Sequence, residues 1–215
     1  MSRTELAQAE RRALCDLFLQ VGPDHPTLCG DWTTSHLAAH LFIRERKPLT
    51  GPGIMLGGPF AAYTERALEK VRTGTPYEDV VAKVRSGPPL PMKWADGQMN
   101  LIEYAVHLED VRRAAGAFEP RTGIDELQDT LWSMQGSATK LMVRGLQDVA
   151  LTLRRPLADG GFDEKVVRSK GRPVSITGEP LEIVLFLYGR RAQAQVELDG
   201  DEGGVTELRE GKLGV

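Results

Sequence analysis

The chain has 215 residues, 41% of them hydrophobic, with 27 Lys and Arg against 30 Asp and Glu and a formal net charge of −3. That length can bury one good core plus a small second domain, and the basic residues are spread along the chain, which argues against a nucleic-acid backbone as the main partner. No apolar run approaches a membrane span, the first residues lack the apolar core of a signal peptide, and Cys15 and Cys29 form neither a CxxC pair nor a disulfide framework; a cytoplasmic, reducing setting with no membrane partner is expected.

In chain order, Leu14, Leu17, Phe18 and Val21 recur at helical spacing and predict a first helix over 4–21. Gly22-Pro23-Asp24-His25-Pro26-Thr27 reads as a loop, and Thr33 or Thr34 offers a hydroxyl cap for a second helix running to about Lys47, stopped before Pro48. After a Gly/Pro-rich stretch a third helix is predicted over 59–71, and Pro76 opens a short one over 77–85. Ser86-Gly87-Pro88-Pro89-Leu90-Pro91 breaks the chain, and long helices follow over 99–115 and 124–143. Helices joined in this way suggest an up-and-down bundle. The pattern changes near Asp148: 149–153 and 174–177 read as strands, Pro180 opens an apolar helix that ends at Gly189-Arg190, and 194–198 reads as a strand closed by a turn over 199–204. The expected fold is mostly α, a four-helix bundle over 1–147 followed by a small α+β domain over 148–215.

Three residues form a candidate metal site. Glu103 and His107, four apart on one helix, project from the same face and can reach one ion. His40, on the second helix, would supply a third ligand. Two imidazoles and a carboxylate leave a coordination position for water or substrate, as a catalytic zinc requires and a structural zinc does not. A lone histidine is more often a core or surface residue than a ligand, but an unpaired Glu103 would cost several kcal/mol to bury, and a shared metal removes that cost. His36, one turn before His40, is read as sitting in the first helical turn with its ring in solvent. Cys29 precedes a helix start, where the dipole can lower a thiol pKa, and forms a rival pair with His25; a buried structural cysteine is the plainer reading. Trp32 and Trp132 read as core residues, and Arg190 as a helix-end cap or a contact for an acidic ligand.

Pro26-Thr27-Leu28-Cys29-Gly30-Asp31-Trp32-Thr33-Thr34, then His36-Leu37-Ala38-Ala39-His40-Leu41 and Arg44-Glu45-Arg46-Lys47-Pro48, resemble the second-helix signature of the mycothiol-dependent maleylpyruvate isomerase and DinB-like superfamily, and look closest to an actinobacterial branch of metal-binding members. The run from Asn100 to Arg113 is similar to the helix that supplies the remaining ligands there. Gly178-Glu179-Pro180-Leu181-Glu182 through Tyr188-Gly189-Arg190 resembles the small C-terminal domain. The resemblance spans nearly the whole chain. Two positions depart from it: His36 stands where relatives often have aspartate, and Leu108 where close relatives have a second histidine.

The resemblance implies a DinB-like bundle, with His40, Glu103 and His107 as ligands of a divalent metal, Zn²⁺ by expectation, and Arg190 assisting an anionic substrate. It implies a mycothiol-like thiol as co-substrate, activated as a thiolate to attack a small electrophile. Reversible addition gives isomerisation, and retention of the thioether gives transfer. DinB-like bundles are often dimeric, so a homodimer is allowed. A non-catalytic metal clamp or ligand-binding protein, and a metal-free interaction module, stay open as alternatives.

Overall fold

A computed structural model of the chain describes residues 1–46, 59–89 and 96–213. The chain divides into two compact units, Met1–Pro120 and Arg121–Val215. The change of pattern near Asp148 falls inside the second unit, because Trp132, Val143 and Leu146 bury themselves in the same core as the strands that follow. Among the described residues no helix is long and apolar enough to cross a membrane.

The first unit is the expected helical bundle. Helix α1 (Arg3–Val21) opens with a capping box in which the Ser2 hydroxyl accepts the Glu5 N–H at 3.2 Å and the Glu5 carboxylate accepts the Ser2 N–H at 2.7 Å. Helices α2 (Thr34–Arg46), α3 (Pro59–Gly74), α4 (Tyr77–Arg85) and α5 (Asp96–Arg112) follow. The expected end of the second helix at Lys47, the Gly/Pro-rich stretch after it, and Leu90 and Pro91 of the expected break lie outside the described residues. Helix α1 packs along α5, α2 packs against α3, and α4 touches both α1 and α2. Leu14, Phe18, Leu37, Leu41, Tyr104 and Leu108 form the centre of this core. The α5 helix starts three residues earlier and ends three residues earlier than its periodicity suggested; its last backbone bond runs from the Arg113 N–H to the Glu109 carbonyl.

A buried polar seam crosses the apolar core. Arg11 on α1 donates to Glu45 of α2 at 2.8 Å, and the Tyr104 hydroxyl of α5 donates to the same carboxylate oxygen at 2.5 Å. The Arg11 guanidinium also lies 4.6 Å above the Tyr104 ring. Three helices are thereby tied at one level, so α2 and α5 are held in a defined axial register.

The second unit opens with α6 (Asp125–Met134) and α7 (Ser137–Met142), where the periodicity suggested one helix. Gln135 turns extended and Gly136 takes φ +124°, a conformation that ends α-helix and that side chains disfavour. The sheet comprises β1 (Val149–Pro156), β2 (Phe162–Val166), β3 (Arg172–Thr177) and β4 (Glu197–Gly200), in the order β2-β1-β3-β4. Strands β1 and β3 are parallel, with Leu151 beside Val174 and Leu153 beside Ile176; the outer pairs are antiparallel. Strand β2 was hidden in the sequence because, at the sheet edge, it buries almost nothing and reads as polar. Helix α8 (Pro180–Leu187) follows β3 as expected, and Ile183, Phe186 and Leu187 join the strand core. The expected turn over 199–204 instead starts helix α9 (Glu202–Glu210), capped by the Asp201 carboxylate, which accepts the Gly204 N–H at 2.9 Å. Its glycines imitate a turn for a different reason: Gly200 has φ +133° and lies against β3, where an added Cβ would meet the Pro173 carbonyl and stand 2.9 Å from the Val174 Cα. Trp132 is a core residue as read, and its indole N–H donates to Asp163 of β2 at 2.6 Å.

Candidate metal centre

Helices α2 and α5 meet with one face each directed at a small polar site. On α2, His40 and Arg44 are one turn apart; on α5, Glu103 and His107 are one turn apart, with Asp110 three residues further. The residues that follow Arg44 and Glu103 in sequence are Glu45 and Tyr104, so the buried seam sits directly behind the site and sets its spacing.

Glu103 Oε1 is the hub. It lies 3.2 Å from His40 Nε2, 3.3 Å from His107 Nε2 and 3.3 Å from Arg44 Nε. The imidazole rings of His40 and His107 stand edge to face, 5.5 Å apart. One tetrahedral ion bound at 2.0–2.2 Å would need nitrogen and oxygen donors about 3.3–3.6 Å apart. The distances from Glu103 to the two imidazoles, 3.2 and 3.3 Å, come to within about 0.1 Å of that spacing, and all three donor atoms lie within 4.8 Å of one another. The donor set therefore fits a divalent metal. Both histidines are almost fully buried, whereas the Glu103 side chain keeps 22% of its surface open.

The far side of His107 is equally occupied. Its Nδ1 lies 2.8 Å from Asp110 Oδ2, and the Cys29 thiol donates to the same oxygen at 3.1 Å. The loop carrying Cys29 is itself fastened to α5, because the Leu28 N–H donates to the Asp110 carbonyl at 3.1 Å. Further along that loop, Trp32 lies over the His40 ring at 5.4 Å and stacks on His36 at 6.5 Å. His36 is half-buried and structural: its Nδ1 accepts the Thr33 N–H at 3.2 Å, closing the start of α2. His25 donates from Nδ1 to the carbonyl of Pro26 at 2.8 Å, while the Cys29 thiol is directed at Asp110.

The electrostatics follow from these contacts. Burial opposes a charge on His107, but hydrogen bonds with Asp110, Cys29 and Glu103 outweigh it and hold the ring pKa well above the ordinary imidazole value. Burial lowers the His40 pKa, and the contact with Glu103 only partly offsets it. For Glu103, burial acts upward, but hydrogen bonds from His107 and His40 and the nearby positive charges hold the carboxyl well below its usual range.

No family model matches the sequence, and no curated protein matches it significantly. Solved structures do resemble it. The crystal structure of mycothiol-dependent maleylpyruvate isomerase superposes with a TM-score of 0.54 at 18% identity, covering 93% of this chain and 92% of that one. A histidine-to-alanine mutant of that isomerase gives a TM-score of 0.57 at 17% identity over the same shares. The fold is DinB-like. Identity this low carries the architecture alone, and the site rests on this chain's own geometry.

Of the residues singled out from sequence, His40, Glu103 and His107 come together in the first unit, while Arg190 belongs to the second, half-buried after α8 with its guanidinium donating to the Tyr188 carbonyl at 2.5 Å. Sequence reasoning gave no role to Arg44 or Asp110. Their signal was spacing: Arg44 is one turn beyond His40 and Asp110 one turn beyond His107, on faces already implicated.

Proposed function

We propose that this chain is a metal-dependent enzyme that uses His40, Glu103 and His107 to hold a divalent ion, Zn²⁺ in our reading, and activates a low-molecular-weight thiol of the mycothiol type for addition to a small electrophile. The observation that supports it is one carboxylate oxygen placed a tetrahedral edge from two buried imidazole nitrogens contributed by two helices. Bound there, the ion would supply Lewis-acid charge that lets a thiol ionise near neutral pH. The protein's residues do the rest. With the ion bound, His40 and His107 would offer Nε2 lone pairs in place of the hydrogen bonds they make to Glu103; Trp32 covers part of the His40 ring, and Arg44 places a permanent positive charge beside the partly open Glu103. Reversal of the addition would make the reaction an isomerisation, and retention of the thioether a transfer. Arg190 keeps its expected role in holding a substrate carboxylate on the strength of the sequence resemblance; an Arg190→Ala variant with raised KM and unchanged metal content would support it. The reading places the protein in the cytoplasm, where its non-disulfide cysteines fit.

The test is metal content of protein purified without added metal, for wild type, His40→Ala and Glu103→Ala, followed by thiol consumption with mycothiol and maleylpyruvate. Near-stoichiometric metal lost in both variants, with turnover lost in His107→Ala, is the expected result. Wild type that remains metal-free after incubation with Zn²⁺ sinks the proposal, as does unchanged turnover in His107→Ala. The burial of both imidazoles favours a second reading, in which the ion only clamps α2 to α5. Metal uptake that raises the melting temperature with no turnover of any thiol and electrophile pair would select it.

A further inference from the structure

Two groups of three potential ligand side chains share His107: His40, Glu103 and His107 on one side, and Cys29, His107 and Asp110 on the other. A neutral imidazole has one lone pair, so the ring cannot serve both groups as a ligand at once. The distances separate them. An ion shared by oxygen and nitrogen donors would hold them about 3.3 Å apart or more, and sulfur and oxygen donors about 3.6 Å apart. Asp110 Oδ2 is about half an ångström closer than that to both partners, at 2.8 Å from Nδ1 of His107 and 3.1 Å from the Cys29 sulfur, whereas Glu103 Oε1 comes within about 0.1 Å of it, at 3.2 and 3.3 Å from the two imidazoles. The two Asp110 distances are hydrogen-bond lengths. The Asp110 side chain is fully buried, in contact with the ring from the side opposite Glu103.

We propose that Asp110 is a positioning residue for the metal centre: by accepting the His107 Nδ1–H it fixes the ring's tautomer and rotation, so that the Nε2 lone pair faces Glu103 and His40. Cys29 is part of the same device from outside the ligand set, its S–H donating to the carboxylate and its loop pinned to the Asp110 backbone through Leu28. A carboxylate behind a ligating imidazole makes the ring a stronger donor and removes its freedom to bind in the other tautomer. The inference rests on the metal-site reading and adds a carboxylate that the metal does not touch.

The test uses full-length protein stripped of metal and titrated with Zn²⁺ against a chromophoric chelator, for wild type, Asp110→Ala, Asp110→Asn and Cys29→Ser, with circular dichroism and a thermal melt on each. Asp110→Ala should weaken Zn²⁺ binding by about 10–100-fold, the usual effect of losing such a carboxylate. Asp110→Asn, nearly isosteric and able to accept the same hydrogen bond, should fold and lose less affinity. Cys29→Ser should stay within a few fold of wild type. The Co²⁺-loaded wild type should show no thiolate-to-cobalt charge-transfer band. Wild-type affinity in a folded Asp110→Ala protein overturns the inference, and so does a charge-transfer band that Cys29→Ser abolishes, which would make Cys29 a ligand. Wild type that binds neither ion overturns the metal-site reading and this inference together, whereas tight wild-type binding unaffected by Asp110 variants removes only the inference.

Discussion

Replacing Glu45 by alanine tests the seam that fixes α2 against α5. The carboxylate is 2% exposed and its Arg11 partner 3% exposed. Removing it takes a carboxylate at 2.8 Å from a buried guanidinium and an acceptor at 2.5 Å from the Tyr104 hydroxyl. Breaking a buried ion pair from one side costs about 3–5 kcal/mol, because the surviving charge stays desolvated. For a chain of this length, at ~2–4 °C per kcal/mol, the melting temperature should fall by roughly 6–20 °C. Urea unfolding with an unchanged m-value, run beside the melt, reports the same loss. A companion Arg11→Met/Glu45→Met double variant separates charge from packing: removing both charges should recover the part of the loss due to the stranded guanidinium, leaving about 1–3 kcal/mol for the Tyr104 hydroxyl without that acceptor. A Glu45→Ala protein within about 1 kcal/mol of wild type would refute the reasoning, since it would mean that the guanidinium finds water without cost. The same variant should weaken Zn²⁺ binding although Glu45 touches no ligand, because the residues next to Glu45 and Tyr104 are Arg44 and Glu103.

Gly200→Ala should cost about 2–4 kcal/mol in chemical denaturation, combining a strained positive φ with a Cβ driven into β3; a neutral result would show that the β3–β4 edge shifts freely. Burial pushes the Cys15 thiol up to about 12, so at pH 8 only about one molecule in ten thousand is thiolate. Because the shift is upward, reactivity at Cys15 should rise only in strong alkali. Iodoacetamide at pH 8 should therefore add at most one adduct to native protein, at Cys29, and two after denaturation, counted by intact mass; rapid native labelling of Cys15 would contradict its burial. Ser2→Ala removes the hydroxyl that caps α1 and should lower stability by about 0.5–2 kcal/mol, read by urea midpoint.

The bundle was legible because its helices carry their own punctuation. Pro76 opens α4 on both readings, and the periodicity of Leu14, Phe18 and Val21 runs with α1. The meeting of His40, Glu103 and His107 was legible because one pair is four apart on a single helix and the third member sits in an apolar run. What stayed hidden depends on partners remote in sequence. Asp110 looks like any helical carboxylate until the loop at Cys29 is folded over it, and Arg44 like a solvated cation until Glu103 is opposite. The second unit was read less well. Gly136 lies in a pattern of otherwise sustained helical period, β2 has too little apolar content to announce a strand, and the glycines of α9 serve close packing where they suggested a turn.

The polar character of β2 has a consequence for how the second unit behaves among copies of itself. Among the described residues it is an outer strand, so its outward backbone donors and acceptors have no strand partner, and it carries the exposed side chains of Phe162 and Val166. Between them stand Asp163, Glu164 and Lys165, each with a contact of its own: the Trp132 indole, the Arg154 guanidinium and the Trp132 carbonyl. A second copy adding its own β2 would have to bring its own charged Asp163, Glu164 and Lys165 beside these. The feature that concealed the strand from a reader of the sequence also guards it against aggregation.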